Sequence, residues 1–288
     1  MNTYRNPVWE GADPFVLLYE GTYYFYVSNG DEGYRVLTSD DLVHWTNRGP
    51  CLNRRDVQGD RWFWAPEVTE RDGKFYMAYT AEEHVGIAVA DSPLGPFKQA
   101  QPRWLSERNA IDGSFFKDED GQVYLYYVRF DGGNVIYGAR LSEDLQTLDE
   151  ANEQRLIAAE AEWETRDCLV AEGPFMLKHN GKYYLTYSAN HFRTPDYAIG
   201  YAVADTPLGP FKKYEGNPIL KKNEGIVGTG HHCFTTSKDG KRLICVYHCH
   251  HSREEIHPRM TCIDPAEFAA DGTLLIHGPT FDEQPSLV

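Results

Sequence analysis

In Val170-Ala-Glu-Gly-Pro-Phe-Met-Leu-Lys-His-Asn-Gly-Lys-Tyr-Tyr-Leu-Thr-Tyr-Ser188, one acid, Glu172, stands at the start of an apolar run that turns back on itself. Phe175, Met176 and Leu177 favour strand, His179-Asn180-Gly181 has the chemistry of a hairpin turn, and Tyr183 to Tyr187 is a second aromatic, strand-prone run. Counting back from the turn glycine finds the same pattern five times. Gly21 leads back eight residues to Asp13, whereas Gly73, Gly121, Gly181 and Gly240 lead back nine to Trp64, Asp112, Glu172 and His231. Four copies share a back half: Ser39-Asp-Asp-Leu-Val-His-Trp45, Asp91-Ser-Pro-Leu-Gly-Pro-Phe97, Ser142-Glu-Asp-Leu-Gln-Thr-Leu148 and Asp205-Thr-Pro-Leu-Gly-Pro-Phe211. The heads lie 51, 48, 60 and 59 residues apart, which suits one four-stranded propeller blade with loops of varied length.

The sequence therefore predicts an all-β, five-bladed β-propeller, with residues 1–288 as one domain and blade heads near 13, 64, 112, 172 and 231. First strands line the axis of a propeller, so these heads converge at one end of the channel. Three carboxylates, a tryptophan and a histidine then share a pocket. The tail, Thr273 to Val288, is expected to pair with the N-terminus and shut the ring, removing open sheet edges.

Composition narrows the partners. A formal net charge of −15 and a pI near 5.1 argue against nucleic acid and anionic membranes, which need a basic footprint, and favour a neutral ligand. No stretch is long and apolar enough to span a bilayer, and Met1-Asn-Thr-Tyr-Arg-Asn-Pro7 lacks the apolar run of a signal peptide, so cytoplasmic residence is the expectation. The six cysteines form no CxxC pair and read as reduced thiols. Tyr247-His-Cys-His-His-Ser252 invites a zinc reading, but its histidines alternate as strand residues do and match no closed zinc site.

Single residues refine the pocket. Trp64, at a head, is read as a stacking platform for a sugar ring, and Glu67, three residues deeper, as a structural acid held by an arginine or a backbone amide. Of the adjacent His231 and His232, only one should face the channel, and the offset selects His231. The acidic connection Glu143 to Asp167 is expected to contain a short helix and to form one wall of the pocket. Like charges crowded in a partly buried site push at least one carboxyl toward its protonated form, which supplies an acid and a base together. Glycoside hydrolysis needs that pair; convergent acids that hold a structural cation are the compatible alternative.

Ala12-Asp-Pro-Phe15, Trp64-Ala-Pro66, Ile111-Asp-Gly-Ser114, Ala171-Glu-Gly-Pro174 and Gly228-Thr-Gly-His231 together resemble the ordered signature of family 43 glycoside hydrolases, along essentially the whole chain. The resemblance implies an inverting hydrolase with Asp13 as general base, Glu172 as general acid and Asp112 as the group that tunes and orients the acid. It implies a divalent cation, often calcium, near His231, held largely through waters, and a substrate-contacting arginine at Arg259. Family substrates include xylosides, arabinofuranosides, arabinan and galactan, which these motifs do not separate. An exo-acting β-xylosidase or α-L-arabinofuranosidase taking short xylo- or arabino-oligosaccharides is the first expectation. Endo-arabinanase, a retaining fructan-active propeller and a non-catalytic carbohydrate-binding propeller are the alternatives, and oligomeric state is left open.

Overall fold

Each repeat folds as an antiparallel sheet that begins at the axis and steps outward; the computed structural model describes residues 3–288. Blade 1 comprises Phe15–Tyr19, Thr22–Ser28, Gly33–Ser39 and Thr46–Asn53. Blade 2 has Trp64–Arg71, Lys74–Ala81 and His84–Ala90, and Lys98 bridges to Val89 where a fourth strand would lie. Blade 3 has Ile111–Lys117, Val123–Phe130, Asn134–Arg140 and Gln154–Ala158. Blade 4 has Ala171–His179, Lys182–Ala189, Ala198–Ala204 and Lys212–Lys213.

Blade 5 is built from both ends of the chain. Its inner strands are Gly230–Thr236, Leu243–Cys249 and Met260–Phe268, and its outer edge is Trp9–Glu10, paired with Met260 and Thr261. Thr3–Tyr4 pairs with Gln284–Pro285, as expected of the tail. Asn6 adds a stitch: its side chain donates to the Ile263 carbonyl (2.9 Å) and accepts from the Ile263 amide (2.9 Å).

The back-half motif has a packing role. Tyr26 of blade 1 is fully buried and donates to the Pro93 carbonyl of blade 2 (2.7 Å); Tyr126 of blade 3 does the same to Pro207 of blade 4 (2.7 Å). Both prolines belong to the Asp-Ser/Thr-Pro-Leu-Gly-Pro-Phe copies, so the repeated turn is a hook for the preceding blade's tyrosine. Each such bond contributes about 1 kcal/mol net.

The turn glycines explain the spacing of the heads. Gly21, Gly73, Gly121, Gly181 and Gly240 all have φ between +70° and +85°, with open space where a Cβ would stand, so backbone conformation and not crowding demands glycine. In blades 1, 2 and 4 the turns Glu20-Gly21, Asp72-Gly73 and Asn180-Gly181 are two residues long with both φ values positive. In blades 3 and 5 the strands separate earlier, at Lys117 and Thr236, and the turns are longer. Identical offsets from the glycine therefore do not mark equivalent positions in all blades.

The connection Glu143 to Asp167 differs from expectation. It contributes the outer strand Gln154–Ala158 and two short 3-10 turns, at Glu150–Asn152 and Glu162–Glu164, in place of a helix. Glu164 is buried there because the Glu160 and Ala161 amides, Tyr187 and Lys213 all donate to its carboxylate.

Candidate active site

Every blade head contains one residue in the left-handed region: Asp13 (φ 50°), Ala65 (44°), Asp112 (57°), Gly173 (54°) and His231 (43°). A non-glycine residue held there costs about 1–3 kcal/mol and persists where the surroundings enforce it. In blades 1, 3 and 5 this residue itself carries the polar side chain. In blades 2 and 4 the equivalent positions are Ala65 and Gly173, so Trp64 and Glu172 come from one residue earlier, nearer the mouth. Accordingly Asp13, Asp112 and His231 line both the inner channel and the cleft above it, whereas Trp64 and Glu172 line the cleft alone. Gly173 has little room to be anything else, because a Cβ would stand 3.3 Å from His231 Cα.

Asp13 is surrounded by nitrogen. Arg259 grips it with both Nη atoms, to Oδ1 at 2.8 Å and to Oδ2 at 3.4 Å. His231 Nδ1 lies 3.4 Å and His248 Nδ1 3.3 Å from Oδ1, and the Asp13 amide donates to His248 Nδ1 at 3.3 Å. Burial alone would raise the carboxyl's pKa, but Arg259 first, then the two histidines, outweigh it and hold Asp13 well below the usual carboxylate range. His248 is pushed down to about 3 by burial and by Arg259, so it is neutral. Arg259, expected as a substrate contact, is thus first an ion-pair partner of Asp13, although it also lines the cleft.

Glu172 meets only neutral donors. Tyr197 donates to Oε1 (2.9 Å) and Asn134 Nδ2 to Oε2 (2.9 Å). Asp112 accepts the Gly173 amide at 3.0 Å, while its own amide donates to Thr80 Oγ1 at 3.1 Å. Burial, then the neighbouring Asp112, pushes Glu172 up; burial, then the Asp13 charge, pushes Asp112 up. The cleft thus holds one carboxyl fixed as the anion beside two, Glu172 and Asp112, whose hold on a proton is raised.

Alternation of strand direction puts the hairpins between second and third strands at the same end as the heads, and these wall a cleft of about 450 Å³. They supply Glu83 from blade 2, Phe130 and Asn134 from blade 3, His191 to Arg193 from blade 4 and His257 from blade 5. Glu143 to Asp167 does not reach the cleft lining. Sequence reading missed Asn134, Tyr197 and His248. His248 lay in the cluster weighed for zinc, and Gly230 carried a trace of Tyr197, since a Cβ there would stand 2.2 Å from its ring. Glu67 behaves as expected: it accepts the Phe115 amide at 2.6 Å, and burial pushes it up to about 8. His231 faces the acids, while His232 turns aside to Thr186 (2.7 Å).

The donors beneath His231 do not fit a directly ligated calcium. That part of the channel is lined by Asp13, Glu67, Asp112, Ser114, His231 and His232, and its free volume of about 20 Å³ suits about one water. His232 Nδ1 has no hydrogen-bond partner, which marks a place for a polar guest. Calcium takes six to eight oxygens. Here Arg259 already holds Asp13, burial favours the neutral forms of Glu67 and Asp112, and no group of three His, Cys, Asp or Glu side chains suited to a metal occurs among the described residues.

Residues 4–274 match Glycosyl hydrolases family 43, and the chain belongs to that family of glycoside hydrolases. It is 29% identical to a β-D-galactofuranosidase of Aspergillus niger, over 94% of this chain and 84% of that one. It is likewise 29% identical to a β-xylosidase of Xylanibacter ruminicola, over 91% of this chain and 94% of the relative. A solved endo-1,4-β-xylanase structure from Bacteroides thetaiotaomicron superposes with a TM-score of 0.92 at 40% identity, covering 99% of this chain and 100% of the other.

Proposed function

We propose that the protein removes terminal β-D-xylose, α-L-arabinofuranose or both from short hemicellulose-derived oligosaccharides, with inversion at the anomeric carbon. The observation that carries this reading is the opposite treatment of two carboxyls in one cleft: Asp13 held ionised by Arg259, and Glu172 favoured in its protonated form. Glu172 gives its proton to the glycosidic oxygen as the carbon–oxygen bond breaks. Asp13 accepts a proton from the water that attacks the anomeric carbon from the opposite face, so one bond forms as the other is lost. Asp112 holds the Gly173 amide, fixing the backbone next to Glu172, and its proximity keeps the acid's pKa high.

Walls from four blades favour a terminal sugar over mid-chain binding, and the relatives' names supply both a pyranoside and a furanoside precedent. The test is turnover of paired phenyl β-D-xylopyranoside and phenyl α-L-arabinofuranoside, whose leaving group needs a proton, by wild type and Glu172→Gln. Turnover of either sugar that collapses in the variant is expected, and the ratio of the two sugars assigns specificity. Equal turnover by both proteins would remove Glu172 from the chemistry.

A further inference from the structure

The mouth of the cleft carries a feature that this chemistry does not use. In Trp62-Phe63-Trp64 the middle ring is buried, while Trp62 is 42% and Trp64 36% exposed. All three residues are fastened to blade 1. The Trp62 amide donates to Asp31 Oδ1 (2.7 Å), the Phe63 carbonyl accepts from Ser28 Oγ (2.6 Å), and the Trp64 carbonyl accepts from the Tyr34 hydroxyl (2.8 Å). Trp62 is moreover held at φ +59°, a conformation that bulky residues adopt only under strain. The two indoles lie near parallel (13°) with centroids 6.0 Å apart, and the Arg61 guanidinium stands 4.4 Å from the Trp62 centroid. Arg61 is tied in turn to Glu82, whose amide donates to its carbonyl at 3.1 Å.

Exposed large rings are left uncovered where something binds them. A strained backbone with three hydrogen bonds that hold two tryptophans outward, around a buried anchor, is a surface set in place before its ligand arrives. We propose that Trp64, Trp62 and Arg61 form a leaving-group subsite for the second and later sugar rings of an oligosaccharide whose terminal residue lies between Asp13 and Glu172. This rests on the glycoside hydrolase reading above. Trp64 lines the cleft together with both acids, and Trp62 and Arg61 continue its surface outward. Sugar rings present C–H faces that stack on indole, and a guanidinium donates to their hydroxyl and ring oxygens. The ligand is an uncharged sugar chain, consistent with a protein of net charge −15.

The test compares kcat/KM for a glycosyl fluoride, whose leaving group is too small to reach Trp62, with kcat/KM for the matching tetrasaccharide. In Trp62→Ala the tetrasaccharide-to-fluoride ratio falls roughly three- to tenfold, through KM, and Trp62→Phe recovers most of it. An unchanged ratio overturns the proposal. A change in sedimentation mass in Trp62→Ala also overturns it, because the pair would then be a contact between copies. Should Trp62→Ala fail to fold, Arg61→Ala is read in the same way, with a smaller fall expected. If the wild type turns over no glycoside, the hydrolase reading fails separately. The subsite is then decided by calorimetry with xylotetraose and arabinotetraose: weaker binding by Trp62→Ala and Arg61→Ala supports it, and equal or absent binding overturns it.

Discussion

Asp13 and Glu172 enter one cleft from the heads of blades 1 and 4, yet their surroundings differ in kind. Asp13 has a bidentate arginine and two imidazoles; Glu172 has a phenol and a carboxamide. Both are partly buried, and burial pushes both toward the neutral form, so the partners decide the outcome. Those partners come from other strands: His248 and Arg259 from the second hairpin region of blade 5, Asn134 from the third strand of blade 3 and Tyr197 from just before the third strand of blade 4. The propeller supplies equivalent heads, and later strands of the same and neighbouring blades give each head its own chemistry.

The comparison can be broken most forcefully at the acid. Glu172→Gln should lower kcat/KM roughly a hundredfold to ten-thousandfold on substrates with poor leaving groups, and far less on strongly activated aryl glycosides that depart without a proton. Kinetics across a leaving-group series measure this. Equal losses across the series would assign Glu172 to binding.

At the base, Arg259→Met removes the cation that keeps Asp13 ionised. The expected loss is about ten- to a hundredfold, the range of a charged hydrogen bond. Because the variant raises the Asp13 pKa, activity that needs its anion is lost at higher pH as pH falls, so the acidic limb of the kcat/KM profile moves up. Arg259→Lys should recover only part, since an ammonium cannot hold both oxygens.

A smaller change sharpens the contrast. Tyr197→Phe deletes a bond that favours ionised Glu172, so the acid's pKa rises further and the alkaline limb moves up by about half a unit to one unit, with about a fivefold loss of kcat/KM. A downward move would contradict the assignment of Glu172 as the proton donor. The smallest effect is expected at the buried carboxyl below the pocket, Glu67. Glu67 is pushed up to about 8, so Glu67→Gln replaces a largely neutral acid at pH 7 by a near-isostere and should leave kcat/KM within about twofold.

The blade count and all five heads were legible because hairpin turns demand glycine at positive φ, and that requirement recurs at blade spacing. The one-residue step in blades 2 and 4 was also written in the chain, though less plainly. Asp13, Ala65 and Gly173 each precede a proline, Pro14, Pro66 and Pro174, and lie eight residues before their turn glycines. Aligning on the prolines would have separated Trp64 and Glu172 from the inner cluster. Tyr197, Asn134 and His248 left no comparable mark. They sit on later strands and variable hairpins, where contact with a head depends on how neighbouring blades pack and not on any repeat. The turn motif ending in Phe97 and Phe211 was visible, but its partners, Tyr26 and Tyr126, emerge only from inter-blade packing.

The most direct measurement is proton NMR of the sugar first released from an aryl β-D-xylopyranoside or α-L-arabinofuranoside, followed before mutarotation. With Asp13 as a base that activates water, the first product carries the opposite anomeric configuration: α-xylose from the β-xyloside. Release of β-xylose first would mean a carboxylate attacks the sugar directly, and the division of roles between Asp13 and Glu172 would be wrong.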